Sequence, residues 1–252
     1  SDPNTPALHA SISSPELDVD IVGRQITTRG LTQLLMIDRR EQAAEEASSA
    51  GDAIGLPSAL ITRGRSQTAM QCAGRMVYTL GADGPQRRDT VVFEDDVFFV
   101  HRAGAEMLNL RDTLPQAAEN PKLLESQNSR NTSLECERLE CTFNADASAA
   151  SASRGGALTR TPLQLASLTA SDKVYLRDTQ AARIREVSAD WIQCDREQSQ
   201  VSVKSPSGGE ARVVLQDTSK NTFDTHAGRE LTINLRDGTV RSDQVSGEIR
   251  RP

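Results

Sequence analysis

Between Leu165 and Val203 the apolar residues recur at every second position, which is the period of a strand with one wet and one dry face. Ala166, Leu168 and Ala170, then Val174 and Leu176, share one phase, while Ser167, Thr169, Ser171, Lys173 and Arg177 hold the other. The pattern pauses at Arg177-Asp178-Thr179-Gln180, read as the turn, and resumes near Ile184 with Val187, Ala189 and Trp191. It then slips by one residue to Ile192 and Cys194, so a bulge or corner is expected there. Ala166, Leu168, Val174, Leu176, Val187 and Ala189 are expected to face one interior.

The same alternation organises most of the chain. Leu17, Val19 and Ile21 lead through Gly23 into a second extended segment, Ile26 to Ile37, interrupted at Gly30. Strand signals return at Leu60-Ile61 and continue on even positions through Met70, Cys72, Met76, Tyr78 and Leu80 to a turn at 81–85. Residues 90–102 carry Val91, Phe93, Val97 and Phe99 in one phase and Val92, Phe98 and Val100 in the other, as a strand covered on both sides does. Leu134 and Cys136 give way to Leu139, Cys141 and Phe143 through another one-residue slip. Near the end, 205–209 reads as a turn between the strands of Val203 and Val213. Phe223, Leu231, Ile233 and Leu235 fall in phase, and Asp237-Gly238 signals a hairpin leading to Val240 and Val245.

Three stretches, 40–57, 111–130 and 145–160, break the alternation with Ala, Glu, Ser and Pro and read as insertions. The expected organisation is an N-terminal β segment with its insertion, 1–57, and a larger β domain, 58–252, the two forming one domain or lying apart. The fold class that follows is all-β.

Composition narrows what such a fold can do. Aromatic residues are only 3% of the chain, so the core has to be aliphatic. A net charge of −6 with dispersed Lys and Arg lacks the basic patch that would neutralise phosphates, which excludes nucleic acid as an expected partner. There is no apolar run of membrane-spanning length, and residues 1–16 lack the basic start and apolar core of a signal peptide; a soluble chain, with any leader trimmed, is expected. Cys72, Cys136, Cys141 and Cys194 show no metal-ligand spacing and read as small buried hydrophobes, with no metal or other cofactor expected. Glu94-Asp95-Asp96 reads first as a turn or solvated edge and only second as a calcium or catalytic site. Asn131-Thr132-Ser133 is a formal glycosylation sequon. None of the three histidines, His9, His101 and His226, adjoins a nucleophile motif, so no enzyme activity is expected.

Two short schemes recur. QCAGRMVYTL (71–80), LECERLECTF (134–143), VSADWIQCD (187–195) and HAGRELTINL (226–235) share a small residue or Cys, a polar or Gly step, and then alternation. FEDDVFFV (93–100) and LTASDKVYL (168–176) share an Asp-centred step before an apolar strand. Recurring strands of this kind suggest a sheet built from similar rungs.

With Ala189-Asp190-Trp191-Ile192-Gln193-Cys194-Asp195, Cys136-Glu137-Arg138-Leu139-Glu140-Cys141, Asp96-Val97 and Lys173-Val174, these rungs resemble the OstA-like family of periplasmic lipopolysaccharide-transport proteins. The resemblance covers roughly 58–245, with an echo at 17–37; Asp95 and Asp172 stand where the family's step has glycine. It implies a repeated-rung β-jellyroll or folded sheet whose groove takes acyl chains and whose open ends pair strands with neighbours. The expected function is then a periplasmic scaffold holding the acyl chains of lipopolysaccharide or a related glycolipid for transport to the outer membrane. Its partners would be that glycolipid, other envelope transport proteins joined by edge-strand pairing, and further copies in a homo-oligomer. Phe93, Val97, Phe99, Leu168, Val174 and Leu176 are the expected lining; the same residues filling a closed core is the competing reading. Two other functions stay open, a strand-pairing structural module without ligand and a β-helix enzyme on polysaccharide.

Overall fold

A computed structural model describes residues 8–38, 65–82, 84, 86–104, 129–145, 163–195, 198–234, 239–242 and 246–250. The stretch 40–57, read as an insertion, lies outside them, as do Leu60-Ile61, Leu235, Asp237-Gly238, Val245 and nearly all of 111–130 and 145–160.

All sixteen strands belong to one antiparallel sheet, in which the chain passes back and forth in ten bent rungs among the described residues. Three rungs are single long strands: β7 (Arg88–Gly104), β8 (Ser129–Ala145) and β9 (Leu163–Gln180). A fourth, β10 (Arg183–Asp195), is shorter. The other six are each split in two at the bend. On the N-terminal side these are β1 (Leu8–Ser13) with β2 (Glu16–Asp20), β3 (Gln25–Arg29) with β4 (Thr32–Asp38), and β5 (Ser66–Cys72) with β6 (Arg75–Thr79). On the C-terminal side they are β11 (Gln200–Lys204) with β12 (Ala211–Asp217), β13 (Thr222–Gly228) with β14 (Glu230–Asn234), and β15 (Val240–Ser242) with β16 (Ser246–Arg250).

The bends line up from rung to rung. Pairing slips between Glu94 and Val97 of β7, between Glu135 and Arg138 of β8, and between Ala189 and Trp191 of β10. Together they draw a fold line across the sheet and divide every rung between two half-sheets. The two recurring sequence schemes are the two directions of crossing this line. The first marks β5–β6, β8, β10 and β13–β14; the second marks β7 and β9, where Asp95, Asp96, Asp172 and Lys173 take positive φ of 67, 47, 65 and 54°. Consecutive left-handed residues turn the chain sharply, which glycine does at least cost and Asp tolerates better than most. Gly74 is required at its corner for another reason: a Cβ there would lie 2.0 Å from an Asp95 carboxylate oxygen and 2.9 Å from the Glu94 carbonyl.

Several sequence expectations shift. Asp178 lies inside β9 and is buried; the β9–β10 turn falls at 181–182, where Ala181 has φ 50°. An irregularity opposite Thr142 and Phe143 brings Leu165 inward and leaves Ala166 out of the core that Leu168, Val174, Leu176 and Val187 share. The segment 205–209 does not join a hairpin, because β11 and β12 both pair with β10 and sit end to end across the fold line. Phe223 is 37% exposed and out of register with buried Leu231 and Ile233, since the corner at Arg229 resets the phase. The slip expected before Leu139 and the break at Gly30 are where the alternation placed them, whereas the β10 slip falls between Ala189 and Trp191, so Trp191 leaves the phase of Val187 and Ala189. Val97, Phe98, Phe99 and Val100 are all buried, as a strand covered on both sides requires. The sequon asparagine, Asn131, is buried in β8, where it accepts a hydrogen bond from Arg102 at 3.1 Å.

Candidate functional site: the interior of the folded sheet

Because side chains alternate across a strand, the inward face of each half-sheet is a set of cross-strand rows, and register identifies them. In one half a row runs Ile12–Leu34–Met70–Phe99–Leu134–Leu176–Val187–Val213. In the other half the row nearest the fold line runs Leu17–Thr28–Met76–Phe93–Leu139–Ala170–Ile192–Val203–Leu231. Beside it lies Val19–Ile26–Tyr78–Val91–Cys141–Leu168–Cys194–Val201–Ile233.

All six expected lining residues meet here. Phe93, Phe99, Leu168 and Leu176 have no exposed surface, Val97 and Val174 have 2%, and all belong to one apolar cluster. Over the central rungs the interior is therefore filled by its own side chains. The cysteines sit in it too: all four are free and buried, and burial pushes the Cys136 and Cys194 thiols up to about 12, with Cys72 and Cys141 also raised.

Towards the N-terminal edge each row opens. From Phe99 and Met70 the first row passes to half-buried Leu34 and then to Ile12, 43% exposed. The other two end at Leu17 and Val19, which are 59% and 52% exposed. At the tip of the β2–β3 hairpin Ile21 and Val22 are almost fully exposed. The alternation at Leu17 and Val19 was legible as a strand; that its inward face would be left uncovered was not, because the edge position of a strand is decided by pairing.

A polar row, also unanticipated, borders the apolar rows of the first half: Thr68–His101–Thr132–Asp178–Arg185. Asp178, 1% exposed, accepts from Thr132 Oγ1 at 2.7 Å, from Arg130 at 3.0 and 3.1 Å and from Arg185 at 3.0 Å. His101 Nδ1 is 2.8 Å from Thr68 Oγ1, and burial, with the Arg130 charge adding to it, lowers its pKa to about 3. On the other half buried Asp89 is gripped by Arg87 through two bonds of 2.8 and 2.7 Å, by Tyr78 and by the Gly81 amide at 3.0 Å. Burial opposes its ionisation, yet these donors hold the carboxyl below its usual range.

The acidic step Glu94-Asp95-Asp96 forms a corner on the outside, with Glu94 paired to Arg75 and Arg138. Among the described residues no group of three or more His, Cys, Asp or Glu is placed to hold a metal ion.

No protein-family model matches the sequence, and no curated protein matches it. Among solved structures the chain is similar to the crystal structure of LptH, the LptA-homologous periplasmic component of the lipopolysaccharide transport device of Pseudomonas aeruginosa. The likeness covers 69% of this chain and 94% of that one, at 13% identity and a TM-score of 0.33.

Proposed function

We propose that this chain is a periplasmic scaffold that holds the acyl chains of lipopolysaccharide or a related glycolipid against the inward face of its folded sheet. The observation that carries the reading is the open end of the apolar rows, where Ile12, Leu17 and Val19 continue the buried core into solvent. An alkyl chain gains about 0.8 kcal/mol for each CH₂ it buries, so an aliphatic surface holds it without specific polar contacts. Affinity would come from area and selectivity would be modest. Phe93, Val97, Phe99, Leu168, Val174 and Leu176 are the deeper lining in this reading. No catalytic step is part of it.

The test is lipid carried through purification from an envelope-bearing bacterial host and read by mass spectrometry. The double substitution Leu17→Glu with Val19→Glu should leave far-ultraviolet circular dichroism unchanged and strip the bound glycolipid. Glycolipid retained at wild-type level in that folded variant would sink the reading.

A second reading, a strand-pairing module, has its own observation: among the described residues β1 pairs only with β4, and β2 only with β3. Their outer edges present backbone groups that a neighbouring strand could bond. Assembly measured by light scattering, in a chain that carries no glycolipid, would favour that reading.

A further inference from the structure

The central rows are filled, so an alkyl chain seated at the open edge reaches Phe93 or Phe99 only if the interior yields. We infer that the two half-sheets part about the fold line, as covers part about a spine, and that this movement, rather than fraying of rungs from the N-terminal edge, exposes the interior. The link to ligand entry rests on the lipid-binding reading above; the movement itself does not.

Three features support it. First, the bends of successive rungs lie on one line, and inter-strand hydrogen bonds run along that line. Gly30 N to Gly74 O at 2.7 Å, Ala73 N to Asp95 O at 2.8 Å and Ser205 N to Arg229 O at 3.0 Å join neighbouring rungs at the corner itself. Rotation about an axis parallel to these bonds leaves them made, whereas fraying a rung breaks its ladder. Second, the buried charge networks each close within one half. Asp178 with Thr132, Arg130 and Arg185 belongs to the first half, and Asp89 with Arg87 and Tyr78 to the second. Parting the halves separates neither set, and the aliphatic contacts it does loosen are non-directional, so alkyl chains can replace them. Third, the spine holds Asp95, Asp96, Asp172 and Lys173 in a left-handed basin that disfavours side chains, so the backbone is strained along the axis.

The native thiols report on it. Cys72, Cys136, Cys141 and Cys194 face the interior from three rungs, β5, β8 and β10, and from both halves. The wild-type chain is treated with N-ethylmaleimide and modification is followed site by site by mass spectrometry. Amide hydrogen exchange in β7 to β10 is followed under the same conditions. Each rate is referred to that of an unstructured peptide.

Parting of the halves gives four thiol rates within about threefold of one another, and ladder amides protected at least about tenfold more strongly than the thiols. Rates graded from Cys72 down to Cys194 would mean fraying from the edge and overturn the inference. Amides no better protected than thiols would mean unfolding and also overturn it. Bound glycolipid is assayed separately. A chain with the uniform thiol pattern and no glycolipid keeps the movement and loses the proposed function; a chain with glycolipid and graded thiols does the reverse.

Discussion

Thr132 Oγ1 donates to Asp178 Oδ1 across 2.7 Å on the inward face of the sheet, next to a row of aliphatic side chains. The same carboxylate takes Arg130 and Arg185, so one buried group on β9 gathers donors from both neighbouring rungs, β8 and β10. Replacing one partner of a buried pair leaves the others desolvated and uncompensated, at about 3–5 kcal/mol. Asp178→Asn should therefore lower the unfolding free energy by an amount in that range, read as a lower urea midpoint at an unchanged denaturant slope. A loss below about 1 kcal/mol would show that solvent already screens the cluster.

His101 makes stability depend on acid. Burial, then the Arg130 charge, lowers its pKa from 6.5 to about 3 in the folded chain, while Asp178 works the other way. The unfolded chain takes up a proton near pH 6.5 that the folded chain refuses. This contribution is thus fully present above about pH 6.5 and drains as pH falls toward 3, by at most about 1.4 kcal/mol per pH unit. Urea titrations from pH 7.5 to 4 should show the loss, and His101→Gln should flatten it. An equally steep slope in the variant would assign the acid response to the carboxylates, Asp89 among them.

Lys173 lies in the left-handed region at φ 54°, and its side chain, 84% exposed, meets Glu137 in a solvent-screened pair worth little. Relieving the backbone outweighs losing that pair, so Lys173→Gly should raise stability by roughly 0.5–1 kcal/mol. Lys173→Val, β-branched in the same basin, should lower it by more than about 1 kcal/mol. Thermal unfolding of the pair of variants checks the sign; both moving the same way would mean that the corner is not strained.

Val174 separates the filled centre from the open edge. At 2% exposure, Val174→Glu would bury a carboxylate among Leu176, Val187 and their neighbours, and the chain should lose its cooperative unfolding transition. Leu17→Glu, at a position 59% exposed, should cost under about 0.5 kcal/mol. A Val174→Glu protein that folds with wild-type stability would show that the centre admits water.

Period-two alternation and its one-residue slips were enough to establish an all-β chain, to mark the corners at Leu139 and near Trp191, and to name the six residues that meet in the core. They could do so because side-chain direction in a strand depends only on counting along the backbone. That Asp178 faces inward was beyond that count: Arg177-Asp178-Thr179-Gln180 has the composition of a turn, and only the partners supplied by Thr132, Arg130 and Arg185 make its burial affordable. Which rungs are central and which are edges is likewise a matter of pairing between segments far apart in sequence. Leu17 and Phe93 sit in the same row and read alike in the chain, yet one lies open and the other is sealed, because neighbours on both sides cover only the second.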